Sequence, residues 1–385
     1  MSKLEELLQG VNVEWKILSE ISNIGTGNSN RQDEDEKGIY PFYVRSKKIL
    51  KSNTYQFDEI SIIIPGEGGI GDIFHYVEGK YALHQRAYRI NIISNYIITK
   101  YVYYIMLNSF KHYISGKSIG TTATSIRKPM LEKFKIPIPC PDNPKKSLEI
   151  QQEIVRVLDE LTSLTNQLTT ELETERQNRK KQFEYFREQL FTFEEGKAEW
   201  KSLKDVAEYS KKRINFTYLN ESNYVGVDNL LQNRGGKINS KHIPTEGNST
   251  AFLTNNILIG NIRPYLKKIW LADCDGGSNG DVLVINIIDK IIHHKYLYHI
   301  LSNDEFFKYN MQHAKGAKMP RGNKQKIMEY IFPIPSLAEQ ERIVKLLDQF
   351  DATHTAIEEE ITKEIKLRTQ QYEYYREKLL TFPEN

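Results

Sequence analysis

Three short stretches carry the residue types that proteins use around nucleotides and metals. Gly66-Glu-Gly-Gly-Ile-Gly71 fits the G-x-G-x-x-G spacing, in which glycines let a backbone approach a pyrophosphate. That chemistry also needs a helix beginning there and an acidic residue about 20 positions on. The next residues are instead Asp72-Ile-Phe-His-Tyr-Val77, strand-like, and then Leu83-His-Gln-Arg86, so no dinucleotide site is expected. Gly116-Lys117-Ser118 ends like a phosphate-binding loop, but Lys111 and His112 stand where the leading glycine belongs. A basic loop is expected there. His293, His294 and His299 have no carboxylate or cysteine at ligand spacing, and an exposed helix face is expected for them. The chain has no G-x-S-x-G, no H-E-x-x-H, and no Asn-Pro-Pro-Tyr or Asp-Pro-Pro-Tyr segment of the kind that holds a flipped base. It reads as non-catalytic, with no cofactor or metal of its own.

What does cluster is positive charge among small and hydroxyl residues. One set is Arg45, Lys47, Lys48 and Lys51, followed by Lys117, Ser118, Thr121, Thr122, Arg127 and Lys128. A second is Lys211, Lys212 and Arg213, then Arg263, Lys267 and Lys268, then Lys315, Lys318, Arg321, Lys324 and Lys326. Lysines and hydroxyls suit phosphate contacts. Arginine can pair bidentately with guanine, which favours Arg127, Arg263 and Arg321 for base contact. The chemistry these sets imply is nucleic-acid binding.

The elements that must position them come from an internal repeat. Residues 151–193 align with 340–382 at a constant offset of 189 without a gap, and 16 of the 43 positions are identical. Unrelated helices do not match to that degree, so the chain is read as a duplication. Tyr185-Phe-Arg-Glu-Gln-Leu-Phe-Thr-Phe193 answers Tyr374-Tyr-Arg-Glu-Lys-Leu-Leu-Thr-Phe382. Ile136-Pro-Ile-Pro139 answers Phe332-Pro-Ile-Pro335, and Glu14-Trp15-Lys16 answers Glu199-Trp200-Lys201. The prolines end each module in an extended segment. Beyond them, residues 145–193 and 336–382 run without glycine or proline and predict two long helices.

Apolar residues fall at Ile154, Leu158, Leu161, Leu168 and Leu172, and at Ile343, Leu347, Phe350, Ile357 and Ile361. Steps of 4, 3, 7 and 4 make a heptad seam. Its missing member is Thr165 in one helix and His354 in the other. Each is read as a polar edge residue or as a polar pin for the register. A helix of about 40 residues is about 60 Å long, against about 34 Å for one turn of DNA between half-sites.

Charge is divided the same way. Residues 1–147 carry 20 Lys/Arg against 15 Asp/Glu, and 198–337 carry 19 against 13. Residues 148–197 and 338–385 each carry 7 against 11. A net charge of +3 therefore hides two basic modules and two acidic helices, and the acidic helices would repel a phosphate backbone. Strand-like runs at Ile60–Ile64, Ile257–Ile259 and Val282–Ile285, with short helices over Tyr96–Leu107 and His293–Leu301, make each module α/β. The expected fold is mixed α+β: two α/β modules (1–147 and 198–337) separated by two long helical regions (148–197 and 338–385). The helices would pack antiparallel as a coiled coil with a pseudo-twofold repeat. No run is long and apolar enough for a membrane span, and Cys140 and Cys274 stand too far apart in sequence for a zinc motif. A reducing cytoplasm fits. The loops between matched landmarks differ, which predicts two different readouts on one scaffold.

The junction Ile136-Pro-Ile-Pro139 leading to Glu149-Ile-Gln-Gln-Glu-Ile-Val-Arg-Val-Leu-Asp159 resembles the junction motif of type I restriction–modification specificity subunits. Pro333-Ile-Pro-Ser-Leu-Ala-Glu-Gln-Glu-Arg-Ile-Val344 resembles it more closely, and the resemblance covers the chain twice over. It implies two target recognition domains, each reading half of a split double-stranded DNA sequence. It also implies paired helices that bind two methyltransferase subunits, with a translocating restriction subunit able to join them. S-adenosylmethionine, ATP and Mg²⁺ would belong to those partners. Tyr185, Phe186, Tyr374 and Tyr375 are aromatic anchors suited to such docking. The alternative reading is a stand-alone bipartite DNA-binding regulator.

Overall fold

A computed structural model of the chain describes residues 10–115 and 125–382. Two compact units divide it: residues 1–172 with 362–385, and residues 173–361.

The first unit opens on strand β1 (Val13–Ile17) and is built on a six-stranded sheet. Its strands are β2 (Ser22–Thr26), β3 (Tyr40–Tyr43), β4 (Leu50–Ser52), β5 (Phe57–Pro65), β6 (His75–Leu83) and β7 (Ala87–Ile92), in the order β2-β7-β5-β6-β3-β4. All pairs are antiparallel except β3 with β6. Strand β5 reads Ile62-Ile-Ile64 without alternation because both of its faces are covered. Ile62 and Ile64 join the main core, while Ile63 packs with Tyr43, Val77 and Tyr81 on the other face. Helix α1 (Thr99–Ser115) lays Tyr101, Val102, Ile105, Met106 and Phe110 into the main core. It is longer than the Tyr96–Leu107 expected from sequence and starts three residues later.

The second unit holds two four-stranded sheets, one containing Ile257–Gly260 and Val282–Ile287 at its centre. Along Val282–Ile287 alternate residues serve two cores: Leu283 and Ile285 face one, Val282 and Val284 the other. Helix α3 (His294–Leu301) and helix α4 (Asp304–Gln312) come next; between α1 and α3 in chain order lies α2 (Pro144–Gln189), and α5 (Leu337–Leu380) is the last described element. The two long helices start where the proline segments end. The Asn143 side chain accepts from Lys146 N at 3.1 Å, and the Ser336 hydroxyl from Glu339 N at 3.3 Å.

The repeated sequence motifs have repeated physical jobs. Lys135–Pro139 pairs antiparallel with Val13–Ile17, setting Trp15 opposite Pro137; Ile331–Ile334 pairs with Glu199–Ser202, setting Trp200 opposite Pro333. These are two-stranded ladders, where a proline's missing donor is tolerated. The Tyr101 hydroxyl donates to Pro137 O at 2.8 Å and that of Tyr296 to Pro333 O at 2.9 Å. Gln151 and Gln340 are fully buried at the start of the long helices. Gln151 accepts from Ile98 N and donates to Tyr96 O; Gln340 accepts from His293 N and donates to Ile291 O. Each glutamine thus pairs backbone groups ahead of its module's helix. Lys100–Asp159 (2.8 Å) and Lys295–Asp348 (2.6 Å) repeat a half-exposed ion pair beside it.

One position breaks the pattern. The Tyr104 hydroxyl donates to Asp159 Oδ1, but its counterpart is His299, whose Nε2 lies 3.5 Å from Asp348 Oδ1. His299 is 2% exposed, not on an exposed helix face as its sequence context predicts. The reason is that α3 packs this side against α5, as α1 packs Tyr104. Burial pushes the imidazole down to about 4, aided by the nearby Arg187 charge, so it is neutral at pH 7.

Along the heptad positions, Ile154, Leu158, Ile343, Leu347 and Ile361 are buried, and Leu161, Leu172, Phe350 and Ile357 half-buried. Leu168 is 38% exposed. In the first unit the Thr162 hydroxyl donates to Tyr372 Oη at 3.1 Å, and Leu380 shares the core of Leu158. In the second, Arg176 pairs with Glu358 at 2.9 Å, the Phe183 ring lies 5.0 Å from His354, and Phe186 lies 6.4 Å from Phe350.

Candidate nucleic-acid interface

In the first unit the G-x-G-x-x-G segment is a loop between β5 and β6. No helix begins at it. Gly68, Gly69 and Gly71 have φ of +69°, +58° and +76°, and a Cβ on Gly71 would meet the Lys111 backbone at 2.8 Å. Only glycine fits a left-handed turn that close to a helix. The loop is pinned by Gly66 N to Arg86 O and Ile126 N to Gly66 O, both 2.8 Å. Its Glu67 side chain accepts from both Arg45 and Arg86, and its Asp72 pairs with Lys111 at 2.6 Å. The two guanidiniums, Arg86 first, hold the Glu67 carboxyl below the usual range.

This cluster borders a cleft of about 860 Å³ that also takes in Arg31, His84 and Lys111. Arg127 is exposed two residues beyond the bridge between Glu67 and Ser125. Lys47 and Lys48 are exposed on the turn that Arg45 opens. Lys117, Ser118, Thr121 and Thr122 lie outside the described residues. Arg31 and Arg86 were not among the sequence candidates. Their signal is non-local, since Arg86 meets Arg45 only through a carboxylate held in a loop between two strands.

In the second unit the loop after Ile257–Gly260 carries two non-glycine residues in the left-handed region, Arg263 (φ 53°) and Lys267 (φ 51°). They flank a single 3₁₀ turn over Pro264–Leu266. Each costs roughly 1 kcal/mol or more, so the surrounding structure must impose it. At Arg263 it does so through Arg263 N to Pro320 O (2.7 Å), Gly322 N to Asn261 O (3.0 Å) and the Lys315–Arg321 bridge (2.8 and 2.9 Å), and at Lys267 through Arg234 N to Lys267 O (2.9 Å). Arg263, Lys315, Lys318 and Arg321 are thereby joined on one exposed loop pair. Arg321 pairs with Asp281 at 3.2 Å and stays mostly exposed. The Tyr209 hydroxyl donates to Lys324 O at 2.9 Å, which brings the exposed Lys211, Lys212 and Arg213 segment beside Lys324.

Two candidates turn inward. Lys267 pairs with Asp304 at 2.8 Å, and Lys268 Nζ donates to Val227 O. Burial lowers both ammonium pKa values, and neither side chain is free to meet a phosphate.

The acidic helices expose aromatic pairs instead. Tyr185 is 58% and Tyr374 60% exposed, with Phe186 and Tyr375 beside them at ring distances of 5.6 and 5.4 Å. Among the described residues no group of three or more His, Cys, Asp or Glu could hold a metal, and no helix is long and apolar enough to cross a membrane.

A family model described as "Type I restriction modification DNA specificity domain" matches residues 11–175 and again 196–367. The Escherichia coli "Type I restriction enzyme EcoR124I/EcoR124II specificity subunit" is 30% identical over 100% of this chain and 98% of its own length. The E. coli EcoprrI specificity subunit is 28% identical over 93% and 92%. The fold is similar to a chain in a structure of type I restriction–modification complex assembly and conformational transition. That chain has a TM-score of 0.69 at 12% identity, over 96% of this chain and 97% of that one. It is also similar to the HsdS subunit of Thermoanaerobacter tengcongensis, at TM-score 0.53 and 12% identity over 96% of each.

Proposed function

The chain belongs to the type I restriction–modification specificity-subunit family, and from that membership we propose how its parts share the work. A specificity subunit is the non-catalytic DNA-recognition component of its system. Here the modules within residues 1–147 and 198–337 are two target recognition domains. Each reads one half of a split double-stranded target.

In the first, Arg45, Lys47, Lys48 and Arg127 face DNA together with Lys117, Ser118, Thr121 and Thr122. In the second, Lys211, Lys212, Arg213, Arg263, Lys315, Lys318, Arg321 and Lys324 do so. Lysines hold phosphates, and Arg127, Arg263 and Arg321 read base edges. The observation that carries this is the doubled junction. Gln151 and Gln340, with Tyr101 and Tyr296, fix two modules to two helices in the same way, yet the loops those modules present are unlike. One scaffold with two loop chemistries suits an asymmetric split target.

The helical regions 148–197 and 338–385 pair antiparallel as a coiled coil that sets the unread spacer. This pairing is supported by partner order within the second unit, where 176, 183 and 186 meet 358, 354 and 350. The exposed pairs Tyr185/Phe186 and Tyr374/Tyr375 dock two methyltransferase subunits, and a restriction subunit joins through them. S-adenosylmethionine, ATP and Mg²⁺ sit on those partners, in the cytoplasm. Exchanging residues 198–337 for the matching module of a relative tests the division. In the complex with methyltransferase, one half of the methylated motif changes and the other half stays. A motif altered in both halves, or in neither, overturns the proposal.

A further inference from the structure

In both modules the strand that leads into the basic loop is stapled to its neighbours by the same backbone hydrogen bonds. In the first, β5 runs beside β7, Gly66 N donates to Arg86 O at 2.8 Å, and Ile126 N donates to Gly66 O at 2.8 Å. In the second, Ile257–Gly260 runs beside Val282–Ile287, Asn261 N donates to Asp281 O at 2.8 Å, and Gly322 N donates to Asn261 O at 3.0 Å. The bridges keep the same register: Glu67 meets Ser125, and Ile262 meets Arg321. Arg86 therefore stands where Asp281 does, Glu67 where Ile262 does, and Ser125 where Arg321 does.

This corner carries a carboxylate–guanidinium pair in each copy, but builds it from different positions. Arg86 pairs with Glu67 at 2.7 Å, and Arg45 joins the same carboxylate oxygen. Arg321 pairs with Asp281 at 3.2 Å. Both arginine side chains are 60% exposed, and the carboxylates 35% and 37%. Ion pairs this exposed contribute little to stability. A carboxylate there also repels a phosphate backbone, so it does not serve general affinity for DNA. Orientation accounts for the pair. Arginine reads guanine through two parallel hydrogen bonds, and its long side chain must be held in one rotamer to make them. The corner holds each guanidinium from one side and leaves most of the side chain open.

We propose that this corner is a base-reading position in each module. Arg86 reads a base pair in one half of the target and Arg321 in the other, with Glu67 and Asp281 as the positioning residues that aim them. The inference rests on the reading of the modules as target recognition domains, and adds to it the residues that set a position in each half.

The test is genome-wide mapping of methylated adenines in cells that carry the complete system with each variant of this chain. In Glu67→Gln, one half of the motif accepts further base pairs, with discrimination there falling roughly fivefold to a hundredfold, and the other half stays strict. Arg86→Lys, which keeps the charge but not the planar fork, relaxes a position that Glu67→Gln also relaxes. Asp281→Asn and Arg321→Lys relax a shared position in the other half. A carboxylate with a purely structural role would instead lower methylation evenly at every site and leave the motif strict. A motif that stays strict in any of the four variants, methylation lost altogether in either carboxylate variant, or an arginine variant relaxing only positions that its carboxylate variant keeps strict, overturns the proposal. A wild-type chain that yields no split motif overturns the recognition reading itself, and that result is seen before any variant is made.

Discussion

Gln340→Ala is predicted to destabilise the second unit by about 2–4 kcal/mol. The Gln340 side chain is fully buried and makes three hydrogen bonds: it accepts from His293 N at 2.8 Å and donates to Ile291 O at 2.8 Å and Pro335 O at 2.9 Å. Removing it leaves one buried backbone N–H and two carbonyls short of a partner. Each lost bond costs on the order of 1 kcal/mol net, and an orphaned buried group about 1–3 kcal/mol. Gln340→Met keeps the volume but not the bonds, so it should cost nearly as much. Urea unfolding of the full chain measures this, with Trp200 and Trp270 fluorescence for the second unit and Trp15 for the first. A ligand-free domain of ordinary size has only about 5–15 kcal/mol in total, so the midpoint shift should be large. A loss below about 1 kcal/mol, or Gln340→Met as stable as the wild type, would refute the claim that the repeated glutamine clamps each module to its helix.

Lys315→Ala with Lys318→Ala should flatten the dependence of log K on log salt by about 0.9 per lost phosphate contact; unchanged affinity and slope in a DNA-binding titration would take that loop off the DNA. Tyr374→Ala with Tyr375→Ala should abolish co-purification with the methyltransferase subunit while leaving the melting temperature nearly unchanged; intact co-purification moves docking elsewhere. His299 titrates near 4 when folded against about 6.5 when free. Because the unfolded chain binds the extra proton, stability should be full above about pH 6.5 and fall towards pH 4. Asp348, Lys295 and Arg187 face this imidazole, and His299→Tyr, which restores the residue of the first copy, should flatten that fall; an equally steep loss in the variant contradicts the assignment.

Much of the scaffold was legible because duplication exposes it. A gapless offset of 189 marks two helices, and the Pro-Ile-Pro segments mark where the modules stop. Period-2 and heptad patterns then place the strands and the buried residues Ile154, Leu158, Ile343 and Leu347. Three things could not be read from one line of residues. Leu168 has a seam position but is more exposed than the other seam residues, because spacing alone does not show how much of a seam its neighbours cover. His299 looked exposed because its burial comes from α5, more than 40 residues away. Lys267 and Lys268 look like cationic loop residues, yet Asp304 and the Val227 carbonyl draw them inward. The Arg45–Glu67–Arg86 cluster is of the same kind, formed by strands that meet only in the folded sheet.

The central claim is that this chain decides which DNA sequence is modified. Genome-wide mapping of methylated adenines in cells with and without its gene tests that most directly. A split, asymmetric motif is expected, methylated in the first and unmethylated in the second. An identical methylation pattern in both would contradict the claim.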